Sequence, residues 1–394
     1  MAHRPASITH RAQRADRPGR ASKASKASGK AIGSARRMFV LAVPGLAPLV
    51  RRELSALTGV LVTDVGNDGR SDVVLCDVDQ GAERRLLRLA SVEDVFAEFG
   101  RTLRSEGDRP PWIARRLLRT ARLDHGVQLW RSQGDSHTQR GKGQRGPLTY
   151  RVVVRVLDER TWQRTQLRRA LSEAVAAAEP RWRTADPAQL ELWTVEYTRG
   201  RFVAGVRLTT ARLRQHGGRS TERTGALRPT VAAAMVALAG TPPDKAGQGT
   251  LLDPCCGSGT ILAEAKAAGW SVQGRDIDPS AVSASRRNVR DDRDGRAVAV
   301  ADGDARELDL DDGSVDGCVS NLPFGRQYSV QGEPQAWLRD VLTEMVRVTR
   351  PRGRVVLLAP DIPKASVPPG LRFRERYDLR LLGARTAIWV YDRR

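Results

Sequence analysis

The chain has 394 residues, a formal net charge of +21, 40% hydrophobic residues and 5% aromatic ones. That length supports two or three domains with real cores, and no apolar run approaches the roughly 18–20 residues that span a bilayer, which argues against a membrane protein. The positive balance favours a polyanionic partner, nucleic acid first; four cysteines, only two of them adjacent, imply no disulfide framework and a reducing, cytoplasmic setting.

Residues 1–37 are rich in Arg, Lys, Ala and Ser, carry one acid, Asp16, and show no apolar periodicity, so they read as a disordered basic arm. A mitochondrial transit peptide shares that composition, but Pro5, Pro18 and several glycines interrupt the segment and no apolar helical face recurs. Residues 38–105 predict a small α+β unit: an apolar strand from Met38, the pair Pro44-Gly45, a helix marked by Leu46, Leu49, Leu54 and Leu57, a strand over 72–78 and a helix over 80–96. Residues 106–210 predict a second α+β unit, with helix 110–122, strand 150–157, helix 165–178 and strands 190–198 and 201–208. Within it, 132–146 is a polar, Gly-rich basic loop, which is a solvated insertion on one reading and an RNA contact on another. From 211 to 394, strand and helix alternate almost without interruption and two closely spaced strands come last. This pattern predicts an α/β, Rossmann-like, doubly wound sheet, mostly parallel with the last strand antiparallel, and places a ligand beyond the carboxyl ends of its strands.

The stretch DPCCGSGT, 253–260, falls where the first strand of that sheet gives way to a helix. Gly257 and Gly259 allow a tight turn and close backbone approach. No Gly-Lys-Ser/Thr follows, which excludes a P-loop, and only the first two glycines fit the dinucleotide pattern GxGxxG. A carboxylate at Asp253 would repel pyrophosphate but suits a cationic group such as a methionine sulfonium with its amino group. Cys255 and Cys256 lack the second ligand pair that zinc requires and the base that a catalytic thiol requires; they read as small spacers, and no metal is expected.

The next strand ends in GRDID, where Asp276 can accept both hydroxyls of a ribose and Asp278 is placed to cap the following helix ahead of Pro279. The third ends in DGDA, with Asp304 positioned for an adenine amino group, and the fourth in NLPFG. An exocyclic amine on a nucleobase is a poor nucleophile because its lone pair is delocalised into the ring. Two acceptors for its hydrogens, the Asn321 side-chain oxygen and the Leu322 carbonyl, would turn that lone pair toward an electrophile. Phe324 could stack on a base taken out of its helix. Taken alone, Pro323 and Gly325 also suit a plain turn with one buried Phe.

In this order and spacing, DPCCGSGT, GRDID, DGDA and NLPFG resemble the motifs of class I S-adenosylmethionine-dependent methyltransferases acting on exocyclic amines. LPFG followed by arginine is similar to the THUMP-containing tRNA guanine-N2 methyltransferases, in which a ferredoxin-like domain and a THUMP domain precede the catalytic one. FVLAVPGLAPLVRREL resembles the start of that ferredoxin-like domain, YRVVVRVLDERTWQRTQLRRAL resembles THUMP sequence, and ALRPTVAAAMVALAG (226–240) resembles the helix that caps the cofactor. Leu322 stands where the wider (N/D)PP(Y/F) class has proline.

The resemblance implies a ferredoxin-like domain over 38–105, a THUMP RNA-binding domain over 106–210 and a methyltransferase domain over 211–394. It implies S-adenosylmethionine as cofactor, held by Thr230, Asp253, Pro254, Cys255, Gly257, Ser258, Gly259, Thr260, Asp276, Ile277, Asp304, Ala305 and Asn321. Asn321, Leu322, Pro323 and Phe324 form the implied catalytic set. The implied reaction is methyl transfer to N2 of a guanosine in the tRNA acceptor stem, position 6, by a monomer. Guanine in ribosomal RNA, adenine N6 or cytosine N4 in other nucleic acid, and a non-catalytic RNA-binding protein are the alternatives.

Overall fold

The computed structural model describes residues 36–103, 108–133, 146–157, 162–210, 227–242, 249–289, 297–323, 333–381 and 383–394. The expected basic arm, apart from Arg36 and Arg37, and most of the 132–146 loop lie outside these residues, as does Phe324.

The first half of the chain folds on one eight-stranded sheet. Its elements are β1 (Arg36–Ala42), α1 (Ala47–Ala56), β2 (Val60–Asn67), β3 (Asp72–Val78), α2 (Glu83–Leu86), β4 (Asp94–Leu103), α3 (Pro110–Leu117), α4 (Thr120–Ser132), β5 (Thr149–Arg155), α5 (Arg164–Ala178), β6 (Arg183–Thr184), β7 (Leu190–Thr198) and β8 (Arg201–Arg207). The strand order is β2-β3-β1-β4-β8-β7-β5-β6. Antiparallel pairing of β4 with β8, from Phe96↔Arg207 to Leu103↔Arg201, joins the two expected α+β units into a single sheet.

That pairing also overturns the helix expected over 80–96. Only Glu83–Leu86 is helical, and Asp94 already begins a strand. Tertiary partners override the helical spacing there: Phe96 stacks on Phe39 of β1 with ring centroids 4.5 Å apart, and Arg207 Nε donates to Asp94 Oδ1 at 2.7 Å. The helix expected over 110–122 is two helices, because Leu118 and Arg119 adopt extended backbone between α3 and α4. Strand β2 carries no clear apolar alternation and was not anticipated; its residues are mostly half-buried at the sheet edge.

The second half alternates as expected: α6 (Pro229–Ala239), β9 (Thr250–Asp253), α7 (Thr260–Ala267), β10 (Ser271–Asp276), α8 (Pro279–Asn288), β11 (Val298–Asp302), β12 (Val315–Asn321), α9 (Pro334–Val348), β13 (Thr349–Ala359), β14 (Leu371–Leu381) and β15 (Ala384–Arg393). The strands form a second sheet, ordered β11-β10-β9-β12-β13-β15-β14. Six run in one direction, and β15 runs antiparallel between β13 and β14.

Both faces of this sheet are covered, which is why VVLLA at the end of β13 reads as an unbroken apolar run. Leu252, Val355, Leu357 and Trp389 pack with Leu338, Leu342 and Met345 of α9. Val319, Val356, Ile388 and Val390 face a larger core that includes α6, α7 and α1. Leu46 and Leu49 share that core with Tyr377 and Leu379 of β14, so the two sheets belong to one compact unit. Arg52 reaches Glu375 at 3.2 Å and Arg228 reaches Glu93 at 3.0 Å across the same junction.

Candidate active site

Parallel strands deliver the expected motifs to one edge. β9 ends at Asp253, β10 at Asp276, β11 at Asp302 just before Asp304, and β12 at Asn321. Strand order reverses between β9 and β12, the switch point at which open α/β sheets bind ligands.

Asp253 is only 1% exposed. Its Oδ1 accepts the Ser320 hydroxyl at 2.7 Å and the Cys255 N–H at 3.1 Å. Burial pushes this carboxyl up to about 7, against the pull of those two donors and with a further push from the Asp276 charge. The turn that follows is tied down through its backbone. Cys256 N–H donates to the Arg275 carbonyl at 2.9 Å, Gly259 N–H to the Cys256 carbonyl at 2.8 Å, and Asn288 Nδ2 to the Ser258 carbonyl at 2.9 Å.

Gly257 and Gly259 both hold positive φ, +53° and +79°. A Cβ on Gly259 would come 2.4 Å from Ser285 Oγ, whereas none of the described residues lies within 4 Å of one on Gly257. Cys255 and Gly257 are the half-exposed members of the turn, while Pro254, Ser258 and Thr260 are buried and offer mainly their backbone.

Asp276 clamps this turn to its own strand. Its Oδ2 accepts the Gly257 N–H at 2.7 Å and its Oδ1 the Asp278 N–H at 3.0 Å, leaving further lone pairs for hydroxyl donors. Asp278 caps α8 as expected, accepting from the Ser280 N–H at 2.8 Å. Beside them Ile277 is 73% exposed, a large apolar side chain uncovered at the site's edge. Leu322 is buried, so its backbone rather than its side chain is on offer; its N–H donates to the Leu358 carbonyl at 3.3 Å. The Asn321 side-chain amide is half-buried and has no hydrogen-bond partner among the described residues.

Asp304 has a partner that its motif did not announce. Arg306 Nε lies 3.1 Å from both carboxylate oxygens and its Nη2 2.6 Å from Oδ2, and the Arg306 N–H donates to Oδ1 at 2.9 Å. The guanidinium holds the Asp304 carboxyl below the usual carboxylate range. Ala305 is buried next to it.

Thr230 is buried in the first turn of α6, which packs against α7. Among the described residues, no hydrogen bond ties it to the turn. Burial raises the thiol pKa of Cys255 and Cys256, and the Asp253 charge adds to it, so neither favours the thiolate that metal or redox chemistry needs. No group of three or more His, Cys, Asp or Glu that could hold a metal occurs among the described residues. Sequence reasoning missed Ser320, Asn288 and Arg306. Only Arg306 left a local trace, an acid–x–base pattern with Asp304.

A family model described as RMKL-like, methyltransferase domain matches residues 216–365, the span that holds all four motifs. This chain carries a methyltransferase domain. A tRNA (guanine(10)-N2)-dimethyltransferase of Methanothermobacter thermautotrophicus is 34% identical over 168 residues, 42% of this chain and 48% of that protein. The U6 snRNA (guanine-N(2))-methyltransferase THUMPD2 of Bos taurus is 37% identical over 139 residues, 34% of this chain and 26% of its own length. The chain thus spans about half or less of the curated relatives it matches. The fold extends beyond the methyltransferase domain: TrmN from Thermus thermophilus superposes with a TM-score of 0.67 at 21% identity, covering 91% of this chain and 99% of TrmN. SMU.472, solved in complex with SAH, superposes at 0.61 with 13% identity over 91% and 98%. No helix among the described residues is long and apolar enough to cross a membrane.

Proposed function

We propose that this protein is an S-adenosylmethionine-dependent methyltransferase acting on the exocyclic N2 of a guanosine in tRNA, with the acceptor stem as the favoured target. The observation that carries the reading is the convergence of Asp253, Gly257, Asp276 and Asn321 on one strand edge at the switch point. The donor set fits the cofactor: a buried carboxylate whose Oδ1 alone carries the described protein bonds, a Gly257 that no described residue crowds, and an uncovered Ile277. When bound, the cofactor supplies an electrophilic methyl group on a sulfonium.

Within this reading, Asp253 faces the amino group of the methionine part and Asp276 accepts the ribose hydroxyls. Asp304, with Ala305, accepts the adenine amine, with Arg306 keeping that carboxylate ionised. Asn321 and the Leu322 carbonyl accept the two hydrogens of the guanine amine, which aims its lone pair, and Phe324 stacks on the base. Positioning and electrostatics supply the acceleration, with no metal and no covalent enzyme intermediate. The first half of the chain, with its resemblance to ferredoxin-like and THUMP sequence, grips the RNA, and the protein works as a cytoplasmic monomer. The archaeal relative is named for position 10 and the bovine one for U6 snRNA, which supports guanine N2 as the acceptor and leaves the nucleotide to experiment.

Mass spectrometry of nucleosides from tRNA and ribosomal RNA of a deletion strain tests the substrate. N2-methylguanosine should fall in tRNA, and an unchanged level would refute the choice. Asn321→Ala should lower kcat by about 10²–10³, the usual loss on removing one group that stabilises the reacting centre, while cofactor affinity stays within about threefold.

A further inference from the structure

The β14–β15 hairpin projects past the candidate reaction centre. Ala359, the last residue of β13, pairs with Ala387, which pairs with Asp378 of β14. Three further pairs lie beyond that level: Leu379↔Thr386, Arg380↔Arg385 and Leu381↔Ala384. Asn321 is level with Leu358, and Leu358 with Ile388. Arg385 therefore stands three residues further out, about 10 Å at ~3.4 Å per residue, and two strand spacings, about 10 Å, to the side. The two offsets place the arginine pair on the order of 15 Å from Asn321, a few nucleotides along a nucleic-acid strand.

Arg380 and Arg385 sit directly opposite each other on one face of the hairpin, and both are exposed. Like charges in that register destabilise a sheet. The other arginines of β14 have acids: Arg372 and Arg374 reach Asp392 at 3.2 Å, and Arg376 reaches Asp378 at 2.6 Å while lying over Trp389. Arg380 and Arg385 have no ion pair among the described residues, and the nearest acid on their face, Asp378, is already taken. On the opposite face Leu379 and Leu381 pack into the core shared with the first sheet, so the hairpin is anchored on one side and presents two guanidinium groups on the other.

We propose that Arg380 and Arg385 form a phosphate clamp that grips the RNA backbone beside the nucleotide entering the site. The proposal rests on the RNA-methyltransferase reading above. An anion between the two guanidinium groups would relieve their repulsion and use their forked donors.

The test is the full-length double variant R380Q/R385Q with a tRNA transcript. Loss of two phosphate contacts should flatten the slope of log affinity against log salt by about 1.4–1.8. Between 50 and 200 mM salt, wild-type affinity should then fall roughly tenfold more than that of the variant. KM for tRNA at low salt should rise roughly tenfold, with kcat at saturating RNA, the cofactor Kd by calorimetry and the melting temperature unchanged. R380K/R385K, which keeps the charges, should restore the salt slope. A variant with the wild-type slope and KM overturns the clamp, whatever else the arginines hold, an acidic protein surface included. A wild-type protein that neither binds nor methylates RNA overturns the functional reading itself, before any variant is made.

Discussion

Replacing Asp253 by Asn should stabilise the fold while disabling the site. The carboxyl is 1% exposed and is displaced from its ordinary value of 3.8 to about 7, chiefly by burial. Between those two values the folded chain binds more protons than the unfolded chain. The stability this group contributes is therefore fully present below about pH 4 and is lost as the pH rises to 7. Above pH 7 the ionised group costs the fold about 4 kcal/mol, from about three pH units at ~1.4 kcal/mol each. Asn keeps an acceptor for the Ser320 hydroxyl and the Cys255 N–H but carries no charge to bury.

Urea denaturation of the cofactor-free proteins should show Asp253→Asn matching wild type near pH 4 and exceeding it by up to about 4 kcal/mol at pH 8, with the pH dependence between them flattened. Calorimetry should show cofactor affinity reduced about a hundredfold, the cost of leaving one partner of a buried charge pair alone. In wild type, cofactor binding below pH 7 should release a proton, and affinity should rise with pH. A variant no more stable than wild type at pH 8, or one whose pH curve runs parallel to it, would show that Asp253 carries no buried charge and would remove the ammonium-anchor argument.

Other perturbations separate the remaining roles. Asp276→Ala removes the acceptor for the Gly257 and Asp278 N–H groups, so it should raise the cofactor Kd at least about tenfold by calorimetry before any effect on kcat at saturation. Gly259→Ala should destabilise by about 2–4 kcal/mol in denaturant titration, from the left-handed backbone and the Cβ set against Ser285; the added variant Ser285→Ala should recover part of it. Burial holds the thiols of Cys76 and Cys318 up at about 12 and those of Cys255 and Cys256 far above their ordinary value. Alkylation of the folded protein at pH 8, followed by mass spectrometry, should therefore leave the buried Cys76, Cys256 and Cys318 unmodified, and C255A/C256A should retain methyl transfer.

Much of the candidate site was legible because its signals are local. A glycine turn after an apolar strand, acids at strand ends and NLPFG in register each follow from the backbone needs of a few consecutive residues. The alternation of 211–394 was legible for the same reason, since strands buried on both faces read as apolar runs. Local periodicity misled at 80–96, where Phe96 is committed to Phe39 and Asp94 to Arg207, partners 113 residues apart in the latter case.

The amino-acid sequence by itself determined the doubly wound sheet, the order of its motifs and the residue types at the candidate site, because turn chemistry and side-chain period are set within a few residues. Only the tertiary structure decided that β4 and β8 fuse two units into one sheet, that Ser320 holds Asp253 across 67 residues and that the β14–β15 hairpin carries past the candidate site two arginines with no ion pair among the described residues. These depend on which distant strands pair and in what register, and strand register is set by packing across the whole sheet rather than by any one segment.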